Sequence, residues 1–471
     1  MTSIYYKSAL ELVELIRTKQ ISPVEVMNET IKRIEAVNPI INAFVTMRVE
    51  QAMDEAKALT ELLSAGKDPG PLVGIPIGVK DLEDVDGMVT SFGSVPFRNN
   101  LAQQDSVQVK RLRAAGAIVV GKTNTPEFGF TVFTKNRLYG ITRNPWDKER
   151  TPGGSSGGSA AAVTAGMIPL ASGSDAGGSI RIPACYSGCF GLKPSYGRIP
   201  LGPMQLLYMS QMCTLGPISR TVSDAALYLD CVAGYHPADP DSLPPQSLSY
   251  VECLNMVPKT LRIGFSPTLG YARVQKDVMS LVEKAVKSFE QMGHTVEIWN
   301  GKLPDVSQAW SELMTCDIYA QVHQDLERIR PEMGRTLVKS LDNTKDLSLN
   351  NFIENQKILT ELNRTLQGIF DRFDLLLTPT MPTEAFAAKG PPPKEIDGQP
   401  ISLLEAVAFT YPFNLSGHPA ATVRVGLTNV GLPAGLQIIG PRHRDDLVLQ
   451  AAYAYEQAYP WNDYWPDIGK G

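Results

Sequence analysis

The segment 151–181 constrains the fold more than any other part of this chain of 471 residues. Two Gly- and Ser-rich clusters, 153–159 and 172–179, flank an apolar run of small residues at 160–170. A flexible Gly/Ser linker is polar throughout, so the apolar run indicates a closely packed, buried helix. Both glycine-rich turns are then expected to lie against a core, where backbone N–H groups can point at a substrate. Serines within these turns are therefore candidates for chemistry.

The composition excludes several classes of protein. Hydrophobic residues make up 43% of the chain and charged residues 20%, as in soluble globular proteins, and the net charge of −5 argues against a nucleic-acid partner. No basic segment followed by an apolar one opens the chain, so we expect neither a signal peptide nor a membrane span. The six cysteines are sparse and include one C-x₃-C pair, Cys185 and Cys189, without a second pair. Free buried thiols and a cytoplasmic location are expected.

The first half of the chain alternates between helical and strand-like patterns. Helices are predicted at 7–18, 23–36 and 47–64, and Ser22, Pro23 and Glu25 supply a capping box for the second. A strand-like run follows at 72–81, where Pro76 indicates an edge or irregular strand. Next come a helix at 105–115 with Asp105 as N-cap, a strand at 117–120, and a Gly- and Pro-rich region of loops around a strand at 182–200. This alternation predicts an α/β sheet with helices on its faces.

The second half continues the alternation without an internal repeat. Strands are predicted at 261–265, 295–299 and 373–377, with closing strands around 423–425 and 436–439, and helices at 274–292 and over most of 305–370. The nearest candidate for a domain boundary, 237–249, fits a surface loop equally well.

A nucleophilic serine such as Ser155 or Ser179 needs a base. The five histidines are His236, His294, His323, His418 and His443, and only His418 has a distinctive context, NLSGHP. No serine lies in a G-x-S-x-G elbow, which argues against an α/β-hydrolase triad.

Lys80, at the end of the apolar run, is the other candidate base. Keeping a lysine neutral near pH 7 costs about 4–5 kcal/mol. Burial among residues such as Ile75, Ile77 and Val79 lowers a lysine pKa in this way. On periodicity alone, a strand-end lysine that reaches solvent remains an alternative.

The glycine-rich turns favour an oxyanion hole over a phosphate loop. Neither cluster carries the lysine of a G-x-x-x-x-G-K-[ST] motif. Ala176, Gly177, Gly178 and Ser179 instead offer consecutive N–H groups that could stabilise a tetrahedral anion. The neighbouring acidic residues Asp81, Glu83 and Asp84 have no His or Cys partner, so we expect a solvated acidic turn and no metal site.

These motifs, taken together, resemble the amidase signature family from about residue 5 to residue 460. Each motif is weak by itself, but their order and spacing are specific. The segments that carry the resemblance are GIPIGVKD at 74–81, GKTNTPEFG at 121–129, GGSSGGS at 153–159, DAGGSIR at 175–181, GLKPSYGR at 191–198, GPISR at 216–220, and 413–440.

The resemblance implies a Ser-Ser-Lys triad and a fold. Ser179 matches the nucleophile that carries the acyl group, Ser155 matches the bridging serine after a cis peptide bond, and Lys80 matches the general base. The implied fold is α/β, with a large mixed central sheet covered by helices on both faces. It forms a single domain, 1–471, made of an N-terminal helical arm (1–66), a core with the catalytic residues (67–235) and a C-terminal part (236–471). No metal or organic cofactor is implied.

The implied activity is hydrolysis of an amide-type small molecule, and anilides, esters and carbamates are open alternatives. Family members often carry Thr where this chain has Ala176, but a backbone N–H survives that change. The runner-up is the glutaminase subunit of a tRNA-dependent amidotransferase, which would need partner chains. Such subunits typically read Glu-Phe-Ala-Met-Gly where this chain reads NTPEFG at 124–129, so a stand-alone amidase is expected.

Two segments are candidates for the substrate pocket. One is 128–133, beginning with Phe128 and Gly129, and the other is the apolar segment 204–212, although ordinary core packing fits the second equally well. The resemblance is also compatible with a homodimer.

Overall fold

A computed structural model of the chain describes residues 4–203, 211–461 and 464–468. Within these residues the strands are, in chain order, β1 (Phe44–Met47), β2 (Pro76–Lys80), β3 (Ile118–Thr123), β4 (Lys135–Asn136), β5 (Gly140–Ile141), β6 (Leu170–Asp175), β7 (Phe190–Lys193), β8 (Thr214–Ser219), β9 (Arg262–Phe265), β10 (Thr295–Ile298), β11 (Leu375–Pro379), β12 (Glu395–Ile396), β13 (Gln399–Pro400), β14 (Ala420–Leu427) and β15 (Pro433–Ile439).

The helices of the same residues are interspersed among these strands. They are α1 (Ala9–Arg17), α2 (Pro23–Ile41), α3 (Val49–Ser64), α4 (Val107–Ala114), α5 (Gly157–Thr164), α6 (Arg181–Ser187), α7 (Val222–Val232), α8 (Tyr250–Cys253), α9 (Lys276–Gln291), α10 (Ser307–Val322), α11 (Leu326–Ile329), α12 (Arg335–Thr344), α13 (Leu349–Phe370), α14 (Pro412–Leu415) and α15 (Asp445–Ala458).

One sheet of eleven strands organises the molecule, in the order β1-β3-β2-β6-β8-β7-β14-β15-β11-β9-β10. It is mixed, since β2 pairs in parallel with β3 and β6, whereas β8 pairs antiparallel with β6 and β7. Alternate residues of β3 enter different cores, because Val119 packs in one apolar cluster and Ile118 and Val120 in another. The predicted mixed sheet with helices on both faces is therefore confirmed.

Local signals account for several helix ends, and the structure corrects one of them. Helix α2 begins with the predicted capping box of Ser22 and Glu25. Helix α4, in contrast, is capped by Ser106, whose Oγ accepts the N–H of Val109, and not by Asp105. Asp105 instead accepts the N–H of Asp86, so its carboxylate serves the preceding turn.

Of the two alternatives for the strand with Pro76, the structure bears out the irregular one. A register shift separates Ile77 from Gly78. The edge alternative is wrong, because β2 lies inside the sheet, where proline is tolerated as the first residue of the strand. The N-terminal arm also contains more than helices, because β1 forms the edge of the sheet beside β3.

The region 182–200 contains a helix that the sequence pattern concealed. Helix α6 is buried along its whole length and precedes β7. The strands and helices predicted for the second half form as β9, α9, β10, α10–α13 and β11, with β14 and β15 closing the sheet. Within the described residues, no helix combines the length and the apolar character that a bilayer span requires.

Candidate active site

Lys80 is buried at the carboxyl end of β2, between two neighbouring strands, with 1% of its surface exposed. Its Nζ donates to Ser155 Oγ at 2.7 Å, to Ser174 Oγ at 2.9 Å and to the Ser174 carbonyl at 3.3 Å. Burial lowers the pKa of Lys80 to about 7, against smaller opposing effects of nearby acidic groups. The alternative of a lysine that reaches solvent is thereby excluded.

Ser155 follows a cis peptide bond from Gly154, as the resemblance implied, and lies just before helix α5. Gly129 contacts it closely, since a Cβ on Gly129 would lie 3.1 Å from Ser155 Oγ. The next residue, Ser156, donates its N–H to the carbonyl of Ser179 at 3.1 Å. The two glycine-rich turns are therefore joined directly.

Ser179 lies in the turn between β6 and α6, and a buried ion pair supports this turn. The carboxylate of Asp175 contacts Arg181 through two bonds of 3.0 Å. Burial alone would raise the pKa of Asp175, but the Arg181 guanidinium holds it well below its usual range. The same carboxylate accepts the N–H groups of Gly178 at 2.6 Å and Ile180 at 3.1 Å.

The bond to Asp175 corrects one expectation about the oxyanion hole. The N–H of Gly178 donates to Asp175, so the expectation that Gly178 donates to a substrate is wrong for this arrangement. Within the described part of the chain, the N–H groups of Ala176, Gly177 and Ser179 have no hydrogen-bond partner. These three remain candidates to stabilise an oxyanion.

A mostly apolar cleft brings these residues together. Its walls include the predicted site residues Phe128, Gly129, Ser155, Ala176 and Ser179, together with Leu82, Ser174, Cys213, Met314, Asp317, Ile318 and Gln321. The last four belong to helix α10, a segment in which the sequence offered no motif. Asp317 and Gln321 are the polar side chains that α10 contributes to the described cleft walls.

Of the two pocket segments predicted from sequence, the structure places part of the first, 128–133, in the cleft and describes only the end of the second, 204–212. Phe128 and Gly129 line the cleft, and Phe128 stacks on Phe92 at a centroid distance of 5.6 Å. Phe133 instead packs against Phe386, away from these walls. Of the segment 204–212, residues 204–210 lie outside the described residues, and Met212 is buried in a small cluster with Ala176.

The sequence suggested a solvated turn for the acidic residues that follow Lys80, and this expectation is wrong. Asp81, Glu83 and Asp84 are all buried. Lys122 lies 3.5 Å from Asp81 and also donates to the carbonyl of Glu83, while the Glu83 carboxylate accepts from Ser106 and Gln108 at 2.7 and 2.9 Å. Burial raises the pKa values of Asp81 and Glu83 and lowers that of Lys122.

No metal centre or catalytic histidine accompanies the cleft in the described residues. None of their His, Cys, Asp and Glu side chains forms a group of three that could hold a metal ion. His418 is buried, with Nδ1 2.9 Å from Ser416 Oγ and its ring stacked on Phe370. No histidine lines the described cleft walls, and the titratable side chain that contacts Ser155 there is Lys80.

Comparisons with known proteins agree with this architecture. A family model described as Amidase matches residues 25–449. The chain is 37% identical to an acylamidase of Rhodococcus erythropolis over 468 residues, 98% of each protein. It is 36% identical to a glutamyl-tRNA(Gln) amidotransferase subunit from Cyanothece sp., with 98% of this chain and 100% of that protein covered.

Solved structures show the same similarity. A bacterial aryl acylamidase of the amidase signature family superposes with a TM-score of 0.91 at 34% identity, covering 98% of this chain and 97% of that one. A 6-aminohexanoate cyclic dimer hydrolase gives a TM-score of 0.88 at 31% identity, covering 98% and 99%. The chain belongs to the amidase signature family. It is an enzyme of the class that acts on amides and related C–N bonds.

Proposed function

We propose that this chain is a stand-alone amidase that uses Lys80, Ser155 and Ser179 as a Ser-cisSer-Lys triad. The observation that carries the proposal is the 2.7 Å contact between Lys80 Nζ and Ser155 Oγ, made by a lysine that burial brings to a pKa of about 7. The products would be a carboxylic acid and ammonia or an amine. Anilides, esters and carbamates fall within the same chemistry.

Ser174 supports the role of Lys80 as a base. A neutral lysine amine has two N–H donors and one lone pair. The hydroxyl and the carbonyl of Ser174 both accept from Nζ. In the ammonium form Nζ donates to all three oxygens. In the neutral amine both N–H donors are directed at Ser174, so the 2.7 Å contact reverses: the lone pair accepts the O–H of Ser155, which is the arrangement that a base requires.

The reaction follows from this arrangement. Neutral Lys80 accepts the proton of Ser155, which accepts the proton of Ser179 as Ser179 Oγ attacks the amide carbonyl. The N–H groups of Ala176, Gly177 and Ser179 stabilise the tetrahedral oxyanion. The proton returns through Ser155 to the leaving nitrogen, the C–N bond breaks, and water hydrolyses the acyl group from Ser179.

The proposal extends to the organisation of the molecule. We assign residues 1–471 to one domain, and support comes from a single sheet that takes strands from the N-terminal arm (β1), the core and the C-terminal part. The substrate would be a small molecule that fits the mostly apolar cleft beside Ser155 and Ser179.

A first experiment would trap the nucleophile without knowledge of the natural substrate. A fluorophosphonate should label Ser179, as located by mass spectrometry, and Ser179→Ala should abolish the label. Lys80→Ala should slow labelling by at least about 100-fold, as expected for loss of a general base. Labelling of another residue, or an undiminished rate in Lys80→Ala, would contradict the triad.

Lys193 supplies a matched control for the lysine variant. It too is the last residue of an internal strand, β7, is fully buried, and has a pKa lowered by burial to about 7. Its Nζ donates to the carbonyl of Pro194 and not to a serine of the cleft. Lys193→Met should therefore retain labelling of Ser179 near the wild-type rate.

A glutaminase remains the second candidate, because amidotransferase subunits match this chain about as well as the acylamidase does. A panel of aliphatic amides, aryl amides, anilides, carbamates, esters and free glutamine separates the two. Cleavage of anilides or carbamates that Ser179→Ala abolishes would support the amidase. Cleavage of glutamine alone would support the glutaminase.

A further inference from the structure

Trp310 on helix α10 covers the turn that carries Ser179. Its indole Nε1 donates to the carbonyl of Ala176 at 2.8 Å. A Cβ on Gly177 would lie 2.3 Å from Cζ2 of the same ring, so the indole fills the space that a side chain would need there. The ring also stacks on Tyr411 with centroids 5.3 Å apart. The indole is thus held between the turn and the residue that precedes helix α14.

Three consecutive carbonyls of this turn each accept a hydrogen bond from a side chain. Asn414 Nδ2 donates to the carbonyl of Asp175 at 2.8 Å, Trp310 to that of Ala176, and Thr410 Oγ1 to that of Gly177 at 2.6 Å. A trans peptide unit is planar, and its N–H points opposite to its C=O. A donor that holds each carbonyl therefore also sets the direction of the following N–H.

The bond from Trp310 fixes a peptide unit whose N–H does not donate to Asp175. The carbonyl of Ala176 shares its peptide unit with the N–H of Gly177, one of the three groups left without a partner in the described residues. The carbonyl of Gly177, in contrast, shares its unit with the N–H of Gly178, which already binds Asp175. Trp310 thus orients an N–H that is available to substrate.

We propose that Trp310 is a positioning residue for the oxyanion hole. The proposal rests on the function proposed above, in which Ser179 is the nucleophile. The indole N–H fixes the peptide unit between Ala176 and Gly177, and the ring prevents that unit from turning toward α10. The charge that develops on the substrate oxygen then meets a donor that is already in place.

The same helix also walls the cleft. Met314 and Ile318, one and two turns beyond Trp310, line it together with Ser179. A substrate that packs against these side chains therefore contacts the same helix that binds the turn of Ser179. The segment that contacts the substrate therefore also sets part of the catalytic geometry.

Trp310→Phe tests the proposal, because it keeps an aromatic ring and deletes the indole N–H. The readout is phosphonylation of Ser179 by a fluorophosphonate, with the maximal rate kinact separated from the binding constant KI. We expect kinact to fall by about 10- to 100-fold, the scale of a misplaced catalytic group, and KI to stay within about threefold. A loss of packing alone would instead raise KI.

Trp146→Phe is the matched control. Trp146 is half-buried like Trp310 and donates its Nε1–H to a backbone carbonyl, that of Ser187, at 2.7 Å. It does not line the cleft. The control should leave both kinact and KI near the wild-type values. If Trp310→Phe does not fold by circular dichroism, Trp310→Tyr, which also keeps an aromatic ring and lacks the indole N–H, decides the question. Thr410→Val deletes the bond to the carbonyl of Gly177, whose peptide unit carries the N–H already bound to Asp175, and should lower kinact less than the substitution of Trp310.

The outcomes are distinct. A kinact within about twofold of wild type in the folded Trp310→Phe protein, or an equal loss in Trp146→Phe, would overturn the positioning role while leaving the triad intact. A change confined to KI would overturn it as well, since it would assign Trp310 to binding. Absence of a label on Ser179 in the wild type would instead refute the proposed function.

Discussion

The pKa of Lys80 makes the pH dependence of acylation the most direct test of the proposed base. A lysine at its ordinary pKa of about 10.4 is neutral in only about 0.4% of molecules at pH 8. At the value of about 7 that burial gives Lys80, the neutral fraction at pH 8 is about 90%. Burial thus raises the population of the competent base about 200-fold at that pH, equivalent to about 3 kcal/mol.

The direction in which kinact changes with pH depends on which protonation state of Lys80 is active. The neutral amine accepts the proton of Ser155, so kinact for the fluorophosphonate should rise with pH and level off above about pH 8. Between pH 6 and pH 8 the neutral fraction, and with it kinact, should rise about tenfold. The assay uses the phosphonylation step because a leaving amine would add a titration of its own.

Two results would refute this reasoning. A rate that continues to rise tenfold per pH unit beyond pH 9 would show that Lys80 keeps its ordinary pKa. A profile that is flat from pH 5.5 to pH 9.5 would show that the base is not a lysine. Lys193→Met is the control, because burial also lowers the pKa of Lys193 to about 7. A midpoint that moves in this variant would assign the profile to Lys193.

Three further substitutions test the turns, the ion pair and the cleft. Gly129→Ala should lower kinact at least tenfold, because the Cβ would lie 3.1 Å from Ser155 Oγ at a φ of +69° that alanine resists; an unchanged rate would contradict the close contact. Arg181→Met should lower the free energy of unfolding in urea by about 3–5 kcal/mol, since it leaves the Asp175 carboxylate buried without its charge partner; a loss below 1 kcal/mol would show that the pair is not needed. Asp317→Asn should reduce kcat/KM for amides that carry a cationic group relative to neutral ones, and an unchanged ratio would exclude this carboxylate from substrate selection.

The elements that local rules determine could be predicted from the sequence. The capping box of Ser22 and Glu25 begins α2 as expected, and the apolar runs near residues 76, 118, 262 and 375 all form strands of the main sheet. The cleft residues Ser155 and Ser179 could be predicted as well, because glycine-rich turns around a buried apolar run must lie against a core. Helix α6 could not, since its Gly- and Pro-containing surroundings match a loop and its burial depends on distant strands.

Burial of the acidic residues shows where local reasoning fails. Asp81, Glu83 and Asp84 look like a solvated turn because polar residues follow one another closely. Two of the groups that satisfy Glu83 and Asp81, Gln108 and Lys122, come from 25 and 41 residues further along the chain. Only the folded sheet brings these partners together, and a buried charge is tolerated only when such partners are present. No local pattern indicates that they will be.

The division of the cleft between two parts of the chain explains why similarity fixes the chemistry better than the substrate. Amide cleavage needs a nucleophile, a base and oriented N–H groups, and the proposed triad draws all of these from residues 80–181. For selection of the acyl and leaving groups we propose the wall that α10 supplies through Met314, Asp317 and Ile318. We therefore expect proteins of this family to share one fold while they act on different substrates. Because Trp310 on the same helix bonds to the turn of Ser179, the proposed positioning role predicts that a change in that wall also disturbs the proposed oxyanion hole. On this proposal, specificity changes at α10 preserve activity only where they keep the indole contact.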